Sequence, residues 1–192
     1  MPPESQNLRN ELAFHYYTDA TDFLARFDFL IEEYSKTMRF KCFVDLLMGF
    51  ECILKSHIFL SSTKESMVEI YKNDIRKSGH KLSNLADEAK FLSPDIYQRI
   101  KVELGQYDIL IRYSIDGYAN FIPSYLLSKD NKFNFSNTLT NTTWLTEKRN
   151  LLEGMINSTS IEFQREWSMD FPELVADEQE LMEFFESVKI IK

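Results

Sequence analysis

Apolar side chains return at intervals of three and four over Asp19–Tyr34, where Phe23, Leu24, Phe27, Leu30 and Ile31 recur. A helix turns every 3.6 residues, so this spacing gathers them on one face and predicts an amphipathic helix. The next stretch, MRFKCFVDLLMGFECILKSHIFL, carries apolar residues around most of its circumference and predicts a longer helix over about 37–60. A helix without a broad polar face must be covered on several sides, so this one is expected at the centre of the core. Ser62-Thr63-Lys64-Glu65 has the spacing in which a hydroxyl accepts from a first-turn amide while the glutamate reaches back. It predicts a helix over about 64–77.

Gly79 suits the left-handed residue that closes that helix, after which His80 or Lys81 starts another through Leu82, Leu85 and Ala89. Ser93-Pro94-Asp95 combines an N-cap, a proline preset for the first helical position and a carboxylate at the positive helix end. The helix it opens is expected to run through Ile100, Leu104, Tyr107 and Ile111 to about Arg112. Periodicity fails between Tyr113 and Thr143, where Asn, Ser, Thr and Lys dominate SKDNKFNFSNTLTNTT. A long loop with one short helix over about 119–128 is expected, with Phe133 and Phe135 as candidate partner anchors. Helical spacing returns from Trp144 to Trp167 through Leu145, Leu152, Met155 and Phe163. Asp177 to Glu180 resembles a second capping pair, ahead of a C-terminal helix with Leu181, Phe184, Phe185 and Val188 on its face. No strand-period alternation, βαβ unit or internal repeat occurs, so the expected fold is an all-α up-and-down bundle, one domain over 1–192, with an irregular loop and additional C-terminal helices.

Composition sharpens this picture. The 192 residues are 44% hydrophobic and 27% charged, with only 5 Gly and 5 Pro, and so few helix breakers favour long helices. The opening MPPESQNLRNEL has neither a basic nor an apolar leader, and no run of about 18 apolar residues occurs, so a cytoplasmic protein without a membrane span is expected. In that compartment the Asn-x-Ser/Thr matches at Asn134, Asn141 and Asn157 carry no meaning. Cys42 and Cys52, ten positions apart on one helix, would lie about 15 Å from each other and are expected as buried thiols. A net charge of −8 argues against generic nucleic-acid binding. Arg39 with Lys41, and Lys72, Arg76, Lys77 with Lys81, are the densest basic stretches, read first as solvated helix faces and otherwise as a local basic cleft.

The usual chemical signatures are missing. His15, His57 and His80 stand apart with no HExxH or CxxC, and there is no phosphate loop, dinucleotide fingerprint or G-x-S-x-G elbow, so no metal and no cofactor are expected. Glu51 and Lys55, four apart on the most apolar helix, can form an ion pair, and burial makes such charges costly unless they meet each other or an outside partner such as Arg112. His80 can cap a helix or act as a general acid or base, with Arg76 four residues earlier placed to stabilise phosphate charge. Arg112-Tyr113, leaving its helix toward a polar loop, can pair with Glu51 or bind an anion. Arg9 and His15 lie in a terminus expected to fray, and their spacing is read as chance.

Taken together, Glu51-x-x-Leu54-Lys55, Gly79-His80-Lys81-Leu82-x-x-Leu85 and Ile111-Arg112-Tyr113 resemble the spaced signature of HEPN-type helical proteins, over about residues 20–115. The resemblance implies a HEPN-like four- or five-helix bundle that commonly forms a homodimer. Many members are metal-independent ribonucleases of toxin-antitoxin, phage-defence or RNA-processing systems, and others bind nucleotides or partner proteins. The ribonucleases carry Arg and His with four to six residues between them. Here Arg76 and His80 have three, Arg112 has no following His, and Arg9 and His15 fit the spacing but precede the bundle. The resemblance marks Glu51, Lys55, His80, Arg112 and Tyr113 as a ligand-binding cluster, and His80, Arg76 and Arg112 as catalytic candidates. Three readings stand open: a stress or phage-defence module that binds a partner protein or a nucleotide-like ligand, a metal-independent endoribonuclease using His80 with Arg76 or Arg112, and a purely structural helical subunit.

Overall fold

The structure, a computed structural model, describes residues 4–33, 39–107, 138–163 and 171–189. All regular structure among them is helical: α1 (Glu4–Glu33), α2 (Arg39–Ser61), α3 (Met67–Glu69, continued as a π-helix over Ile70–Arg76), α4 (Leu82–Glu88), α5 (Pro94–Glu103), α6 (Thr142–Ser160, then a 3-10 turn) and α7 (Phe171–Val188). Arg112, Tyr113, the expected helix at 119–128, Phe133 and Phe135 lie outside the described residues. No described helix is long and apolar enough to cross a membrane.

α2 forms the axis of the bundle, as its all-round apolar pattern requires. Phe43, Leu46, Phe50, Ile53, Leu54 and Phe59 are fully buried, each worth about 2 kcal/mol of transfer free energy. The helix packs along α1 and meets α4 and α6 on other sides. Cys42 and Cys52 are buried free thiols, and burial pushes the Cys52 thiol up to about 12.

Several boundaries differ from expectation, each for a local reason. α1 begins at Glu4 and not near Asp19. Its first turns are held because the Arg9 guanidinium donates to the carbonyls of Phe59 (3.2 Å), Ser62 and Lys64, covering the open C-terminal end of α2. Arg9 is therefore a structural clamp in a docked helix. The cap of α3 is Ser66, whose Oγ accepts from the Glu69 amide (3.3 Å), while Ser62 only accepts from the Lys64 amide within the connection (3.2 Å). α5 stops at Glu103, well before Arg112, because the Gly105 amide turns back to the carbonyls of Ile100 (3.0 Å) and Lys101 (3.2 Å). A Cβ on Gly105 would lie 2.4 Å from the Lys101 oxygen, so this closure requires glycine. Ser93 precedes α5 without a side-chain cap bond. Asn141 caps α6 by accepting from the Trp144 amide (3.2 Å), and that helix ends at Ser160, before Trp167. Asp177 and Glu180 lie within α7, which already begins at Phe171, and not at its start.

The buried polar groups of α2 reach different helices. The Ser56 hydroxyl donates to the Ala13 carbonyl of α1 (2.8 Å), and Asp45 pairs with Arg26 of α1 (3.1 Å). His57, fully buried, joins α5 and α6 through Tyr97 Oη at Nδ1 (3.0 Å) and Thr159 Oγ1 at Nε2 (2.7 Å). Thr159 donates its own proton to the Met155 carbonyl (2.7 Å), so Nε2–H must donate to Thr159 and bare Nδ1 must accept from Tyr97. Tyr97 Oη accepts in turn from the Leu92 amide (2.7 Å). Every donor in this chain has an acceptor only while the imidazole is neutral, and burial pushes its pKa down from 6.5 to about 3.

Two predictions follow from these contacts. A folded-state pKa below the unfolded value means that the unfolded chain binds the extra proton between pH 6.5 and about 3. His57 therefore leaves stability intact above pH 6.5 and removes it as pH falls, by up to roughly 1.4 kcal/mol per pH unit. In an NMR pH titration of the folded protein its ring resonances should stay in the neutral form at pH 5, and a midpoint near 6 would refute the network. Arg9→Met should lower stability by about 1–3 kcal/mol in urea denaturation, since the α2 carbonyls lose charged donors.

Candidate functional site

Glu51 and Lys55 stand one turn apart on α2, and the Lys55 Nζ lies 2.5 Å from Glu51 Oε1. The Glu51 residue is only 2% exposed, so its carboxylate depends on partners supplied by the fold. The second partner comes from the far side of the π-helix. Gly79, at φ +61°, accepts the left-handed conformation, and its amide closes the helix on the carbonyls of Ile75 and Arg76 (3.2 Å each). The chain then brings His80 back over α2, with Nδ1 2.9 and 3.1 Å from the two Glu51 oxygens. Lys81, not His80, occupies the N-cap of α4, and its side chain makes no cap bond. The histidine is thus the partner of a buried carboxylate.

An ionised carboxylate only accepts, so the His80 hydrogen on this side is on Nδ1. The His80 side chain is 65% exposed, and Nε2 makes no hydrogen bond to a described residue. A neutral ring in this tautomer presents a lone pair outward, and a protonated ring presents a donor. Lys55 Nζ also sits 5.3 Å from the centroid of the Tyr16 ring. Burial holds the Tyr16 hydroxyl well above its ordinary pKa, with Tyr71, Cys52, Glu51 and Asp19 adding to the effect. α1, α2, the π-helix and the turn before α4 therefore meet at one polar corner.

Arg76 does not join it: the side chain is exposed and forms no ion pair with a described residue. Lys72, Lys77 and Lys81 are likewise exposed without a carboxylate partner among the described residues. Arg26, Lys64, Arg99, Lys101, Lys148 and Arg149, by contrast, each face a carboxylate. The segment 72–81 thus carries four basic side chains with no ion pair among the described residues. The expected Glu51 partner Arg112, and Tyr113 with it, lie outside the described residues. Among the described residues, no three His, Cys, Asp or Glu side chains are placed to hold a metal ion.

Tyr16 and Asp19 were missed as neighbours of this corner. Their signal was present: Leu8, Leu12 and Tyr16 recur at four-residue intervals and extend the α1 pattern back from Asp19. Compared with protein-family models, curated proteins and solved structures, the chain matches none.

The two partners of Glu51 should differ in their effect on stability. Lys55→Met leaves a buried carboxylate with one exposed partner and should cost about 3 kcal/mol, whereas His80→Ala removes an exposed ring and should cost less than about 1 kcal/mol. Equal losses for the two variants in urea denaturation would show that Glu51 is not held mainly by Lys55.

Proposed function

We propose that the chain is a HEPN-like module that binds a nucleotide-like ligand through its phosphate at His80 and the basic strip 72–81. The observation that carries this reading is the outward Nε2 of an imidazole pinned by a buried carboxylate, next in sequence to four cations with no ion pair among the described residues. Lys72, Arg76 and Lys77, four and five residues apart, share one side of a helix whose hydrogen bonds run from i to i+5. The chain as a whole carries −8, so phosphate contact is most favourable at this strip, which suits a small ligand better than a long duplex.

The test is calorimetric titration with nucleoside mono-, di- and triphosphates and a short single-stranded RNA. Binding of at least one should weaken about tenfold or more in an Arg76→Ala/His80→Ala double variant, and its affinity should fall as salt rises. Unchanged affinity in the double variant would refute the reading.

The Glu51–His80 pair supports a second reading, metal-independent RNA cleavage. A carboxylate at Nδ1 orients the ring, and Nε2 can take the proton of a ribose 2′-hydroxyl as that oxygen attacks the adjacent phosphorus, closing a 2′,3′-cyclic phosphate while the P–O5′ bond breaks and the leaving 5′-oxygen takes a proton back from the imidazolium or from water. Arg76 faces solvent and has to turn inward to stabilise the developing charge. Incubation with a broad RNA panel separates the two: cleavage abolished by His80→Ala establishes the enzyme, and bound RNA recovered intact leaves the binding module.

A further inference from the structure

A cavity of about 210 Å³ lies where α1, α2, the π-helix and α7 converge. Its walls are aromatic: Tyr16, Phe59, Tyr71, Phe184 and Phe185. Tyr16 and Phe59 stack at 6.2 Å and 18°, while Tyr71 and Phe184 stand nearly perpendicular at 5.7 Å and 85°. Tyr16 and Phe59 cover one another's faces and Phe59 is fully buried, so the rings with surface left for a ligand are Tyr16, Tyr71 and Phe185. The exposed Asp19 stands at the rim, with no ion pair to a described residue. His15, also at the rim, leans toward Glu11 at 4.0 Å.

Aromatic faces carry negative potential and attract cations, and an ammonium or quaternary nitrogen gains most when a carboxylate is also near. The protein already uses Tyr16 in this way, with Lys55 Nζ 5.3 Å from the ring centroid. Lys55 itself is neutralised by Glu51, so the charge facing the cavity is that of Asp19. We propose that this cavity is a binding site for an organic cation, an alkylammonium group about the size of trimethylammonium, held on the ring faces with Asp19 as its counter-charge.

The neighbouring surface extends the same chemistry. A groove of about 450 Å³ shares Phe184 with the cavity and is lined by Glu65, Glu180 and Glu183. Burial holds the Asp19 carboxyl above its ordinary range, with Asp22 adding and His15 and Lys55 opposing, and a bound cation would draw it back down. This site prefers the opposite charge to the strip at 72–81, so it stands independently of the nucleotide reading.

The test is NMR or calorimetric titration of the full chain with choline, with its neutral isostere 3,3-dimethyl-1-butanol, and with a short lysine-containing peptide. Choline should bind saturably, and about tenfold or more tightly than the isostere. Asp19→Asn, a surface substitution, should weaken choline about fivefold or more with unchanged circular dichroism, Tyr71→Leu should weaken it as well, and His80→Ala should leave it unaltered. Equal binding of choline and the isostere, no effect of Asp19→Asn, or no saturable binding of any cation would overturn the proposal. A peptide roughly tenfold tighter than choline, whose advantage disappears in Glu65→Gln/Glu183→Gln, assigns the ammonium to a polypeptide, and otherwise choline binding assigns it to a free small cation.

Discussion

α2 is covered on nearly every side, and each polar side chain it carries into the interior has to find its partner on a neighbouring element. Ser56 and Asp45 are met from α1, His57 from α5 and α6, and Glu51 from the turn before α4. Apolar packing alone tolerates small rotations and slides, whereas a buried hydrogen bond is lost within an ångström or so. The polar groups of α2 therefore act as register pins on a hydrophobic axis. Lys148, itself buried, adds one between α6 and α5 through Glu103.

The same requirement produces the candidate site. Glu51 would be expensive alone, Lys55 satisfies one of its oxygens from the next turn, and His80 spans both. Meeting the carboxylate turns the imidazole so that its second nitrogen faces solvent. A demand of the core thus leaves a chemically competent group at the surface. The π-helix and Gly79 are the backbone devices that deliver it: the wider turn and the left-handed closure end the segment above Glu51.

Charge is unevenly distributed around this corner. On one side the strip 72–81 carries four cations with no ion pair to a described residue, and on the other Asp19 stands at the aromatic cavity while Glu65 and Glu183 line the adjoining groove. The overall charge of −8 hides this division.

Helical periodicity settled the fold class, the central place of α2 and the left-handed closure at Gly79, because each depends on spacing within about one turn or on a single residue's backbone freedom. The ion pair of Glu51 with Lys55 was legible for the same reason. The apolar pattern of α1 extends back through Tyr16, Leu12 and Leu8, but what docks its first turns, Arg9 reaching carbonyls 50 to 55 positions away, leaves no local signature. The true cap at Ser66 and the early stop at Gly105 were local yet ambiguous, since several Ser and Gly positions compete and packing selects among them. The chain by itself placed Glu51 and His80 on two separate helical segments. Only tertiary structure brought them within 2.9 Å, because a buried carboxylate must be solvated by whatever the fold can carry to it.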